Sequence, residues 1–235
     1  MFASLVAASS FHLATHLLAI PLAVTLPAPP LVFGPPLVCH EIAIGDAKSL
    51  PWGSGTKPKA GYDRAHLVAD VAELLKTEEH LLVRMETLRR AAMYAHQDRA
   101  LVWELVGWRS LFVLEQCSIG AQESTAWFDL GVLVACFDQL AVGLDRRSGV
   151  AEGIGGYGFL RKALETARAD GRDTGPIEFA AVLVTHPGGG RDAEGARRRA
   201  ALCEGRWERA KAQCDGQPLL AQNVTALHAR FASER

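Results

Sequence analysis

The chain has 235 residues, with 25 Lys and Arg against 26 Asp and Glu and a formal net charge of −1. That balance removes the basic footprint of a general nucleic-acid binder. The five cysteines (39, 117, 136, 203 and 214) form no CxxC or CxxCH, which excludes the zinc-ribbon, thioredoxin-like and c-type haem signatures, and their odd number suits core cysteines better than a disulfide framework.

Residues 1–28 are apolar, and no Lys or Arg occurs before Lys48. Met1 to Leu26, MFASLVAASSFHLATHLLAIPLAVTL, has the length of a membrane span or a signal sequence. A signal peptide carries a basic n-region, which is missing here, and Pro21 would kink a spanning helix. The segment reads as an export signal or as an anchor attaching the protein to a membrane through residues 1–26. Its alternatives are a buried N-terminal helix of a cytoplasmic protein and a start codon placed too early. The leading expectation is a periplasmic, extracellular or membrane-anchored protein.

Residues 29–61 are rich in Pro and Gly (PAPPLVFGPP, PWGSGTKPKAG) and cannot form a continuous helix. Val38, Ile42 and Ile44 alternate with small and polar residues, the pattern of a short extended piece. The same arm carries Cys39, His40, Glu41 and Asp46, which together offer soft and hard metal ligands. Adjacent residues of an extended chain point to opposite faces. The pairs able to share an ion or a reaction are therefore Cys39 with Glu41, or His40 with Asp46 across Gly45. The competing expectation is an arm that docks through Val38, Ile42, Ile44 and Trp52, with turns at Gly45-Asp46 and Pro51-Trp52-Gly53.

From residue 62 to 235 the apolar period is helical. Asp63 is placed to cap a first helix with Leu67, Val71, Leu74 and Leu75 on one face. Thr77, followed by Glu78 and Glu79, reads as the start of a second, and Asp98 as the start of a third that Gly120 closes. Ser124 opens a helix lined by Trp127, Leu130, Val134 and Phe137. The glycine-rich GLDRRSGVAEGIGG follows; it lacks a P-loop lysine and any preceding strand. YGFLRKALETARA continues the helical period, and Pro176 opens the next helix. After the break at PGGG (187–190), Ala193 to Cys214 step by three and four, and Leu220 to Phe231 form the last helix. The expectation is an all-α domain of about eight helices in antiparallel hairpins, preceded by a non-helical arm.

WFDLGVLV, with Trp127, Leu130, Gly131 and Val134, resembles the first helix of a tetratricopeptide repeat, and YGFLRKALE, with Phe159, Leu160, Ala163 and Leu164, looks like the second. PIEFAAVL would open the next unit. The resemblance spans about residues 124–186, with a connecting loop longer than the family's and no second copy at a fixed period. It implies a tetratricopeptide-like or irregular helical array that binds a peptide or protein. The small Gly131 would let the partner helix approach closely.

Two further clusters are candidates for binding. Arg84, Arg89 and Arg90, beside Glu86, form a charged helix face able to meet an acidic partner; Arg197, Arg198, Arg199, Arg206, Arg209 and Lys211 form a second, diluted by acids. His66 and Asp70 stand four apart, with Asp63 before them, so a carboxylate could orient the imidazole. Asn223-Val224-Thr225 matches a glycosylation acceptor but falls inside a helix. No catalytic triad order, HExxH or cofactor motif occurs. The function expected is a non-enzymatic helical scaffold for a protein or peptide partner, with no cofactor and no nucleic acid. The alternative is a metal-dependent or hydrolytic enzyme using the Cys39–Asp46 arm.

Overall fold

A computed structural model describes residues 36–53, 57–120, 123–140, 155–185 and 193–233, all within one compact unit, Phe33–Arg235. The apolar segment 1–28, most of the glycine-rich loop after residue 140 and the PGGG break lie outside the described residues. Among the described residues the fold is all-α, with no strand. The order is α1 (Pro36–Cys39), a 3-10 turn (Arg64–His66), α2 (Leu67–Thr77), α3 (Leu81–Ala95), α4 (Arg99–Ile119), α5 (Glu123–Gln139), α6 (Gly156–Ala169), α7 (Gly175–Thr185), α8 (Ala193–Lys211) and α9 (Pro218–Ser233).

Helix ends follow local chemistry. Asp98 Oδ1 accepts from Ala100 N and Leu101 N at 3.1 and 3.2 Å, satisfying two orphan amides of α4. Gly120, at φ 65°, ends α4 in the left-handed region. Asp63 accepts from Ala65 N and caps the 3-10 turn that leads into α2. The second helix departs from expectation. Thr77 ends α2, and His80 caps α3, its Nδ1 accepting from Leu82 N at 3.3 Å. The cause lies further along the chain. Arg84 Nη1 donates to the carbonyls of Leu75 (2.7 Å) and Glu78 (2.6 Å), so the end of α2 is capped by a side chain of α3.

α5 packs on α3, α4 and α6, and α7 packs on α6 and α8, so successive helices form hairpins around a shared core. Phe128, Phe137, Phe179, Leu82 and Leu88 are fully buried there. The α5–α6 contact depends on two glycines. A Cβ at Gly131 would lie 2.9 Å from Leu160 N, and one at Gly156 only 2.4 Å from Ala135 N. The close approach expected of Gly131 is present, with Gly156 as a second small residue on the facing helix.

The arm docks as its apolar residues suggest, but not as an extended piece at its start. Val38 belongs to the single turn α1, which packs on α3, α5 and α7. Leu37, Val38, Ile42, Ile44 and Leu50 are all buried. The arm's backbone is paired with side chains of distant helices: Leu37 N donates to Gln139 Oε1 (2.9 Å), and Ala43 exchanges two 2.8 Å bonds with the Asn223 amide on α9. Trp52 packs edge-on to Tyr94. Asn223 is 1% exposed, so its amide is inaccessible to a glycan in the folded chain.

Candidate functional site

Three carboxylates, Glu86 on α3, Asp129 on α5 and Glu178 on α7, are fully buried. Isolated burial of a carboxylate is prohibitively unfavourable, so each needs cations and donors. Asp129 receives Arg84 and Arg109 from α3 and α4. Glu86 accepts from Arg89 Nε (2.7 Å) and Nη2 (2.8 Å), from Arg90 Nε (2.7 Å) and from Ile42 N (3.2 Å). Glu178 holds Arg168 (2.6 Å), Arg206 (2.8 Å) and Arg209 (2.9 Å).

These contacts correct one expectation. Arg84, Arg89 and Arg90 do not form a solvated face. Arg84 is 4% and Arg89 0% exposed, and Arg90 is close to buried. Their remaining donors go to backbone: Arg89 Nη1 to Val38 O and Arg90 Nη1 to Leu50 O, both at the arm. An acidic partner cannot reach them without displacing the arm. Of the second basic cluster, Arg206 and Arg209 bind Glu178, and Lys211 pairs with Glu208; the side chains of Arg197, Arg198 and Arg199 lie outside those described.

The reactive residue types of the arm are separated by the chain's alternation. His40 points inward at 8% exposure, Cys39 is half-buried, and Glu41 and Asp46 are exposed. Among the described residues no three His, Cys, Asp or Glu groups are placed to hold a metal ion. His40 Nε2 is buried without a hydrogen-bond partner. Burial first, then the positive charges of Arg230 and Arg89, lower its pKa from 6.5 to about 4, against a smaller opposing effect of Glu86. Buried His40 is therefore neutral at pH 7. All five cysteines are free, and burial pushes the Cys136 thiol up to about 12, well out of the reactive range. His66 and Asp63 stay exposed at 3.6 Å from each other, while Asp70 instead accepts from the Tyr62 hydroxyl at 2.6 Å.

Two features of the surface had no counterpart among the sequence candidates. The first is on α4, where Leu111 and Leu114 are each 68% and Ile119 64% exposed. With Trp103 and Gly107, Leu111 and Leu114 follow the spacing of one helix face, while Ile119 lies further round the helix beyond Glu115; nothing lies within 4 Å of a Cβ built at Gly107. The inward seam of α4, through Leu101 and Leu105, is what its periodicity revealed; α4 is apolar on its other side as well, which was the available signal. The second is a cleft of about 270 Å³ lined by the first residues of α3, α5, α7 and the approach to α9. Its signal was the alternation of antiparallel helices, which brings every second N-terminus to one end.

No family model, no curated protein and no solved structure shows significant similarity to this chain.

Proposed function

We propose that the protein is a non-enzymatic helical scaffold whose α4 face binds a helical segment of a partner protein or peptide. The observation that carries this reading is the exposure of Leu111 and Leu114, neighbours on one face of α4, with Ile119 exposed at the helix end. Large aliphatic side chains left in solvent at the spacing of one turn are apolar surface that the core does not use. Gly107 adds a notch beside this surface, and a helix laid along it would contact side chains at the spacing of one face. From Leu105 to Gly120 the only charged residues are Arg109, which is buried, and Glu115, so the face offers little to an ionic ligand.

The location proposed is exported or membrane-proximal. Its support is the apolar sequence of residues 1–26, of the length of a signal sequence or a membrane span. Among the described residues no helix is long and apolar enough to cross a membrane. N-terminal sequencing of cytosolic material with Met1 intact would argue against export.

The docking reading is tested with the full chain carrying Leu111→Glu and Leu114→Glu. Both positions are exposed, so circular dichroism and the unfolding midpoint should be unchanged. A photo-crosslinker placed at Ile119 should join the native chain to a distinct partner, and the double substitution should abolish that adduct. Adducts that survive the double substitution, or adducts consisting only of a second copy of this chain, overturn the reading.

A further inference from the structure

One buried carboxylate gathers three arginines where α6, α7 and α8 meet. Glu178 Oε1 accepts from Arg168 Nη2 (2.6 Å) and Arg209 Nε (2.9 Å), and Oε2 accepts from Arg206 Nη1 (2.8 Å). Guanidinium groups keep their charge at any physiological pH, so this cluster holds two more positive charges than negative ones. The other two buried carboxylates also hold arginines, but Arg84, Arg109 and Arg89 are buried with them and Arg90 is nearly so. At Glu178 the side chains of Arg168 and Arg209 stay 51% and 45% exposed. Of the three clusters, this is the one whose surplus charge reaches solvent.

The described residues do not absorb that surplus. Arg206, 8% exposed, uses Nη1 on Glu178 and Nη2 on the Tyr157 hydroxyl at 3.1 Å, and its Nε is buried without a hydrogen-bond partner. Acids near the exposed pair in sequence are engaged with other cations: Glu165 with Arg161 (3.7 Å), Asp170 with Arg172 (3.8 Å) and Glu208 with Lys211 (3.0 Å). Glu204 projects from another side of α8, about 140° around the helix from Arg209. The closing turns of α6 and α8 subtract partial charge and the opening turn of α7 returns some, so an excess remains. The two exposed guanidiniums are also held before any ligand arrives. Both are tied to one oxygen, and Arg209 lies back over Gly205 of its own helix, where a Cβ would meet Nη1 at 3.5 Å. Side chains fixed in advance lose little freedom on binding.

We propose that Arg168 and Arg209 bind a phosphate dianion, either free phosphate or the phosphate group of a small monoester. A phosphate group carries about −1.5 to −2 at pH 7, which matches the surplus on the cluster. Two planar forks that meet at one point suit a tetrahedral oxyanion, whose several oxygens can each take a donor. A monovalent carboxylate would leave one charge of the surplus unmatched. The site shares no residue with the α4 face and stands or falls apart from partner docking.

Isothermal calorimetry on the full chain at low ionic strength tests it, with inorganic phosphate, methyl phosphate and acetate as probes. The tighter of the two phosphates should bind with Kd below about 1 mM, and acetate at least about tenfold more weakly. Methyl phosphate binding more tightly than inorganic phosphate supports the site as one for a monoester, and the reverse order supports it as one for free phosphate. Arg168→Gln and Arg209→Gln each leave Glu178 two arginines, so the fold should survive by circular dichroism, and each should weaken phosphate about tenfold. Arg209→Lys keeps a cation beside Glu178 but loses the fork, and should weaken binding severalfold even where a neutral side chain unfolds the chain. Arg64→Gln, at an exposed arginine of the 3-10 turn, should leave affinity unchanged. Absence of binding by both phosphates, or acetate binding as tightly as they do, overturns the proposal. So does unchanged affinity in either Arg168→Gln or Arg209→Gln, or an equal loss in Arg64→Gln, which would mark an adventitious ion only.

Discussion

Replacing Glu86 by Ala removes the acceptor for four donors at once: Arg89 Nε and Nη2, Arg90 Nε and Ile42 N. Arg89 is 0% exposed, so its guanidinium keeps one backbone acceptor, Val38 O, and loses its counter-charge. Removing one partner of a buried ion pair costs about 3–5 kcal/mol. The stranded Ile42 amide adds a further 1–3 kcal/mol, roughly, and the two do not simply sum. The expected loss is about 4 kcal/mol, which corresponds to a urea midpoint lower by about 2 M at a typical slope. Because Arg89, Arg90 and Ile42 connect α3 to the arm, trypsin should also cut at Lys48 much faster than in the native chain. A second variant separates charge from shape: replacing Glu86 and Arg89 together by Leu and Met leaves only Arg90, which reaches solvent and Leu50 O, without its counter-charge, and should recover part of the loss. Urea unfolding followed by circular dichroism reads both effects. A loss below about 1 kcal/mol in Glu86→Ala, or a double variant weaker than the single one, would refute the view that Glu86 secures the arm by neutralising a buried arginine.

Two more outcomes follow from the same geometry. The His40 pKa is lowered on folding from 6.5 to about 4, so the unfolded chain binds more protons between those values and stability falls as pH drops from about 6.5 towards 4; the whole effect is about 3 kcal/mol, is absent above neutrality, and should be missing from the pH dependence of urea midpoints in His40→Gln, whereas superimposable pH profiles would contradict it. The glycines should rank by the space around them in thermal unfolding. Gly156→Ala, with a Cβ 2.4 Å from Ala135 N, should lose about 3 kcal/mol and Gly131→Ala somewhat less, while Gly107→Ala, with nothing within 4 Å, should gain up to about 1 kcal/mol.

The helical frame was legible because its signals are local. Asp98 and Gly120 bracket α4 by their own side-chain and backbone chemistry, and Gly131 betrays the close α5–α6 contact through its missing Cβ. The direction of the arginines was not legible. Arg84, Arg89 and Arg90 sit at a spacing that suits a solvated face as well as an interior one, and what turns them inward is remote. Asp129 lies 45 residues from Arg84, and Val38 lies 51 residues from Arg89. The start of α3 was misplaced for a nearer reason: Arg84 reaches back to Leu75 and Glu78, so a guanidinium caps α2 and the ordinary signal at Thr77 is overruled. In the arm, alternation correctly separated His40 from Glu41. It could not show that the inward imidazole would feel the charges of both Arg89 on α3 and Arg230 on α9. The exposed face of α4 and the cleft escaped notice because each depends on what the fold leaves uncovered, which no single segment records.

The buried arginines also change what the protein presents to its surroundings. Arg84, Arg89, Arg90, Arg109 and Arg206 are withdrawn from the surface together with only Glu86, Asp129 and Glu178, an interior surplus of two positive charges. In a chain of formal net charge −1, everything outside that set carries −3. At long range the net charge of −1 still sets the field; at contact distance a partner meets mainly the exposed set and its excess of carboxylates.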